Sequence, residues 1–238
     1  MTRMMSEADY DAFWAAIEKS HLADVYLWEA FWLADSIVHW CDDVFAKAPP
    51  PPPDYIKIEP ELMQLLQSVV SASARLRTLL VERPHRDKRN QSALDHAVQV
   101  RRARWIGSVV LAGLKLPTIA TSGVRNSLEH FDQYIDSEAI RWLRGGLPPR
   151  KGLPVDMVMS ARASTMDLLK AEVLIRVYVA AERRFVNSDT EIDMAALQAE
   201  ASAVRERLRP WIEAKVPKGE HGGFVVFPGD PPKVPLPD

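Results

Sequence analysis

The sequence predicts a mainly α protein, a helical bundle of about five or six helices with a small antiparallel β-meander near residues 155–193. Three observations carry this expectation. Apolar residues recur at three- and four-residue spacing through most of the chain before Gly145-Gly146. Breakers at Pro49–Pro53, Gly145-Gly146 and Pro148-Pro149 cut that pattern into segments. Beyond Pro149 the period shortens toward two, and β-branched residues crowd together. With 238 residues and 47% apolar content, the chain can bury a sizeable core.

Residues 7–47 read as helix, with Phe13, Ile17, Val25, Trp28, Trp32, Val38, Trp40 and Val44 as apolar positions and a break at Ser20-His21. Four of the seven Trp fall here, where they serve as core filler or as a face for a protein partner. The segment is acidic, with Glu7, Asp9, Asp11, Glu18, Asp24, Glu29, Asp35, Asp42 and Asp43 against Lys19 and Lys47, and Arg3 just before it. Pro49–Pro53 cannot be helix and reads as a rigid spacer. Pro60 suits the first turn of a helix reaching about Glu82, striped by Leu62, Leu65, Leu66, Val69, Leu76, Leu79 and Leu80.

A polar loop, Arg83–Asn90, precedes a helix from about Ser92 to Leu114. Between Arg75 and Lys115 ten Lys or Arg face three acids, a local net charge of +7. Arg86, Lys88, Arg89, Arg101, Arg102 and Arg104 are the candidate RNA contacts in that stretch. The alternative is a solvated face paired with the acidic first helix.

After Pro117 comes a strongly periodic helix, capped by Thr121 or Ser122 and striped by Val124, Leu128, Phe131, Ile135, Ala139 and Trp142. Asn126 and His130, four apart, lie on one side of it, and Arg125 sits in its first turn. Arg125-Asn126-x-x-x-His130 at the start of a helix resembles the signature of the HEPN superfamily, many of whose members are metal-independent RNases. The resemblance implies Arg125, Asn126 and His130 as catalytic residues, no cofactor, and cleavage of RNA by 2′-OH attack in a toxin or defence setting. It departs from toxin-type relatives in one place: their Tyr two residues after the His is Asp132 here, with Tyr134 nearby. Arg89, Asn90 and His96 repeat a similar pattern across a loop-to-helix entry.

The chemistry fits those residue types. A His titrating near pH ~6.5 can take or give the proton, and an Arg fork meets the phosphorane charge. One suitable His per chain makes a homodimer joining two motifs the natural arrangement. Two other readings remain open. One is a non-catalytic helical interaction or scaffold protein, binding a partner through its Trp-rich N-terminal helix. The other is a metal-binding bundle using His39 with Asp42 or Asp43, Asp95-His96 and Glu129-His130. Adjacent residues point about 100° apart on a helix, which disfavours one metal taking both members of a pair.

After Pro149, Val155–Ser160, Glu172–Val179, Arg184–Asn187 and Glu191–Asp193 read as strands, with Ala180–Arg183 as a turn. Residues 166–185 could alternatively form one helix. Asp193 caps a last helix, Met194 to about Lys215, which Pro210 should end early or kink. Residues 1–216 are expected to form one HEPN-like helical domain. Residues 217–238, with six Pro and four Gly, form an extended or disordered tail.

The net charge of −2 argues against a dedicated nucleic-acid-coating protein. The single cysteine, Cys41, excludes an internal disulfide framework and fits a cytoplasmic protein. No signal peptide is expected, and no uncharged apolar run reaches the ~18–20 residues of a membrane span. Phosphate-loop, zinc-finger, nucleophile-elbow and dinucleotide fingerprints are all absent from the sequence.

Overall fold

The computed structural model describes residues 6–48, 56–82, 85–86, 92–121, 140, 154–160, 162, 173–187 and 190–215. The protein is mainly α with a small mixed sheet. Among the described residues the helices include α1 (Glu7–Glu18), α2 (His21–Lys47), α3 (Pro60–Leu80), α4 (Ala93–Arg104), α5 (Pro117–Ala120) and α6 (Met194–Lys215). A π-helical segment, Trp105–Val110, continues α4. The strands are β1 (Ile56–Ile58), β2 (Pro154–Ser160), β3 (Val173–Val179), β4 (Arg184–Asn187) and β5 (Thr190–Asp193). Among the described residues, no helix is long and apolar enough to cross a membrane.

Local chemistry explains where the helices start. Ser6 and Ser92 each open a helix with a reciprocal cap. The Ser6 hydroxyl accepts the Asp9 N–H, while the Asp9 carboxylate accepts the Ser6 N–H at 2.8 Å. Ser92 and Asp95 repeat this at 3.0 and 3.1 Å. The Ser92 hydroxyl and amide together hold the Asp95 carboxyl below its ordinary range. Ser20 separates α1 from α2 as expected, its hydroxyl donating to the Ile17 carbonyl and accepting the Leu22 N–H. Pro60, with no N–H to leave orphaned, is the first residue of α3.

The chain divides into two compact units. The first comprises Met1–Leu33, Leu76–Leu114 and Ala203–Asp238. Its core gathers Trp14, Leu27, Leu76, Ile106, Leu111, Val204 and Leu208. Here the helix expected to run evenly from Ser92 to Leu114 changes pitch at Trp105, and Leu111 donates to the Ile106 carbonyl at 2.9 Å. The close approach is at Gly107, where an added Cβ would stand 2.8 Å from the Leu80 carbonyl oxygen. The widened turn therefore lies where backbone meets backbone.

The second unit comprises Ala34–Arg75 and Lys115–Ser202. Its sheet runs in the order β1-β2-β3-β4-β5. The expected antiparallel meander holds for β3, β4 and β5, joined by the Ala180–Arg183 turn. It does not extend to β2, which pairs with β3 in parallel, and β1 adds an unexpected antiparallel edge. The intervening residues, 161–172, are long enough for the crossover that a parallel pair requires. Residues 173–187 thus take the strand-turn-strand alternative rather than the single helix. Val158, Val177 and Val179 pack together with Ile56 and Val186, and Tyr178 and Phe185 are fully buried.

The parallel pair carries a matched irregularity. Its register steps from Asp156↔Ile175 to Val158↔Val177, and the two residues passed over, Met157 and Arg176, have φ of 55° and 47°. Left-handed backbone costs a non-glycine residue roughly 1–2 kcal/mol. The compensation is local. Asp156 accepts from Arg176 Nε at 2.7 Å, from Arg176 Nη2, and from the Met157 N–H at 2.8 Å. Buried Asn187 accepts the Arg176 N–H at 3.3 Å.

Pro210 does not end α6 early, the first of the two expected outcomes; the helix continues through it to Lys215. Pro210 and Glu206, whose carbonyl would accept the missing N–H, are both exposed, while Leu208 and Ile212 on the other face are buried. Water can satisfy the carbonyl, and burial on the opposite face holds the helix through the defect. Pro49–Pro53, Gly145–Pro149 and the tail 217–238 lie outside the described residues.

Two outcomes are expected. Gly107→Ala should lower the urea midpoint by the equivalent of about 1–3 kcal/mol, because the clash with the Leu80 carbonyl outweighs the ~1 kcal/mol propensity gain. An unchanged or raised midpoint would show that α3 can yield there. Cys41 is fully buried, and burial first, then the Asp42 charge, pushes its thiol up to about 12. Its folded value lies above its ordinary 9.0, so its contribution to stability is intact below that pH and declines as pH rises through and beyond it. A thiol reagent at pH 8 should label Cys41 only in denaturant; rapid labelling of the native protein would contradict the buried placement.

Candidate functional site

The three residues that carry the catalytic expectation, Arg125, Asn126 and His130, lie outside the described residues, as do Lys88 and Arg89. What is described is the chain's entry into that segment. Pro117 opens the short helix α5, and Thr121 ends it in extended backbone. The Glu200 carboxylate in α6 accepts both leading amides, Thr118 N–H on one oxygen and Ile119 N–H on the other, each at 2.8 Å. An anion at the start of a helix meets donors that have no partner within it. The Thr121 hydroxyl donates back to the Pro117 carbonyl at 3.1 Å. Ile119 is buried, so α5 is held from both sides.

Arg101, Arg102 and Arg104 of the basic stretch are engaged within the first unit, and Arg86 is exposed. Arg101 is only 8% exposed. Its Nη2 donates to Glu7 Oε1 at 2.6 Å and its Nε to Asp11 Oδ1 at 2.9 Å, both on α1. The same guanidinium stands 5.2 Å from the centre of the Tyr10 ring. Glu7, Tyr10, Asp11 and Trp14 are spaced to share one face of α1. Trp14 is buried below them, 6.3 Å from Tyr26 in a stacked pair and 6.0 Å from Trp105 edge-on. Arg102 donates to the Thr78 carbonyl at 2.8 Å and lies over Tyr26 at 5.4 Å. Arg104 meets both oxygens of Glu82 at 3.1 Å. The Glu82 hydrogen bond and charge raise the Arg104 guanidinium above its ordinary range, with smaller contributions from Asp11 and Glu7.

The remaining candidates are dispersed. On α2, Leu22, Val25 and Trp32 are exposed, Trp32 by 57%, whereas Trp28 is half-buried beside Phe31. His39 stands 3.5 Å from Asp35 on the same exposed helix face, and Asp95 is committed to its cap. Among the described residues no three His, Cys, Asp or Glu converge as a metal site.

Sequence reasoning passed over Glu200; its alternative of a basic stretch paired with the acidic first helix is met at Arg101, although it did not single out Glu7 and Asp11 as the partners. The spacing Glu7-x-x-Tyr10-Asp11-x-x-Trp14 was the available signal, since it puts two acids and two aromatics on one helical face. Comparison with protein-family models, curated proteins and solved structures gives no match.

Glu200→Ala leaves two backbone amides without their acceptor. The expected cost is about 1–3 kcal/mol, a lowering of the melting temperature by several degrees in a chain of this size. Wild-type stability in that variant would mean that water replaces the carboxylate without loss.

Proposed function

We propose that this chain is a HEPN-like, metal-independent endoribonuclease, active in the cytoplasm as a homodimer. The observation that carries the reading is the sequence Arg125-Asn126-x-x-x-His130, entered from a short helix whose amides are fixed by Glu200. In the proposed reaction a His130 imidazole takes the proton of the ribose 2′-OH, whose oxygen attacks the adjacent phosphorus. The 5′-oxygen leaves with a proton supplied by a second imidazole, and the product end is a 2′,3′-cyclic phosphate. Arg125 meets the charge on the phosphorane, and Asn126 orients the imidazole or the phosphate. Two His130 side chains from two copies give the base and the acid, which is why a dimer belongs to the proposal.

A second reading is favoured by two observations. Arg101, Arg102 and Arg104 are engaged inside their own unit, and Leu22, Val25 and Trp32 stand exposed on α2. Those facts suit a non-catalytic helical interaction protein that recognises a protein partner through α2.

The experiment is cleavage of total RNA in EDTA by wild type, His130→Ala and Arg125→Ala, with melting curves alongside. The nuclease reading expects cleavage in EDTA and a loss of roughly 10²–10⁴-fold in rate for each variant, at unchanged stability. Cleavage abolished by EDTA points instead to a metal. Absence of cleavage, together with a large loss of stability in His130→Ala, makes His130 a structural residue and leaves the interaction protein.

A further inference from the structure

We infer that α1 is a self-docked acidic helix covering a single-stranded RNA surface, and that Glu7 and Asp11 stand on Arg101 where RNA phosphates would otherwise bind. The inference rests on the nuclease reading for the identity of the ligand, but its geometry stands separately. Two carboxylates from one helix face grip one guanidinium, on Nη2 at 2.6 Å and on Nε at 2.9 Å. Phosphate oxygens engage arginine through the same planar fork of donors. The partners differ sharply in burial. Arg101 is 8% exposed, yet Glu7 and Asp11 are 81% and 67% exposed, so the acids reach in from solvent over a cation that the fold has enclosed.

What α1 covers has the composition of a single-strand binding surface. Arg101 and Arg102 follow one another on α4, and Trp105 comes one turn beyond Arg101. The Trp14 ring packs on Trp105 and Tyr26, and the Arg102 guanidinium lies over Tyr26. Cations beside aromatic faces are what single-stranded nucleic acid uses, one for phosphates and the other for stacked bases. Trp14 occupies the place of a stacked base, and Glu7 and Asp11 occupy that of its phosphates. The capping box of Ser6 and Asp9 keeps α1 helical, so the acids are presented in register (i, i+4) rather than by a loose tail.

The test is binding, read by fluorescence anisotropy in EDTA at low salt. The probe is a labelled 2′-O-methyl oligouridylate of about 20 nucleotides, a length that spans typical single-strand site sizes. It lacks the 2′-OH nucleophile, so affinity is measured whether or not the chain cuts RNA. The variant is Glu7→Gln with Asp11→Asn, and tryptophan emission reports whether Trp14 leaves its seat. The double variant should bind about tenfold tighter than wild type, with an affinity that falls as salt rises. Adding Arg101→Ala should remove the gain, and a matched control, Asp42→Asn with Asp43→Asn, should not produce it. Equal affinity in the wild type and the double variant overturns the inference. So does a gain that survives Arg101→Ala, or one that the control reproduces. Should the double variant melt too low to assay, Asp11→Asn alone is read by the same criteria. Tight binding by the double variant, when neither it nor the wild type cleaves unmodified RNA, refutes the nuclease and keeps the covered surface. Cleavage without any gain does the reverse.

Discussion

A guanidinium removed from water must be neutralised where it sits, and Arg101 sets that condition for the first unit. Leaving it enclosed without a carboxylate would cost several kcal/mol, more than most single contacts return. The requirement determines where α1 goes. Its acids sit at the spacing that brings both to one side, and the ring of Tyr10 lies between them against the same cation. Once α1 is anchored there, Trp14 falls into the aromatic group of Tyr26 and Trp105, and apolar burial adds to what charge began. Polar anchoring and aromatic packing thus act on the same helix face.

The second unit solves a related problem in its sheet. Two residues in left-handed backbone, side by side in a parallel pair, form a local excess of energy that would ordinarily select glycine. Here the positions are Met157 and Arg176, and the second supplies its own remedy by pairing with Asp156 across the strands. Because Asp156 also accepts the Met157 amide, one carboxylate serves both irregular residues. Glu200 does comparable service for α5, taking two amides with two oxygens. In each case a single acid holds irregular or terminal backbone, Glu200 through two amides and Asp156 through the Met157 amide and the Arg176 guanidinium.

How much of this was legible in the sequence follows from the range of each interaction. Boundaries written in adjacent residues could be read: the Ser20 break, Pro60 at a first turn, the Ala180–Arg183 turn, and Asp193 before α6, where its carboxylate does accept the Ala196 N–H. Features set by distant partners could not. The parallel direction of β2 against β3 depends on the path between them, and the three-residue β1 is too short for any periodicity to register. The π-helical turn depends on Gly107 meeting Leu80, which local spacing cannot foretell. Pro210 was read by its intrinsic preference, but the burial of Leu208 and Ile212 decided the outcome. For the basic stretch, the expected alternative of pairing with the acidic first helix is met by Arg101 on Glu7 and Asp11, whereas the individual partners, and Glu82 for Arg104, depend on distant packing that charge counts do not carry. The motif at Arg125–His130 remains a statement about residue types and spacing.

The order of the strands has a consequence for the protein's behaviour at high concentration. Both ends of the sheet, β1 and β5, are short, and their residues include Lys57 on one and Glu191 and Asp193 on the other. The strand richest in β-branched residues, β3, sits in the middle, where both of its backbone edges are already taken by β2 and β4. Of the described strands, the one most prone to cross-chain zippering is therefore sequestered, and the edge strands bring charge and too few amides to template another chain. Among the described strands, β3 would therefore join another chain only after local opening, not on collision of folded molecules.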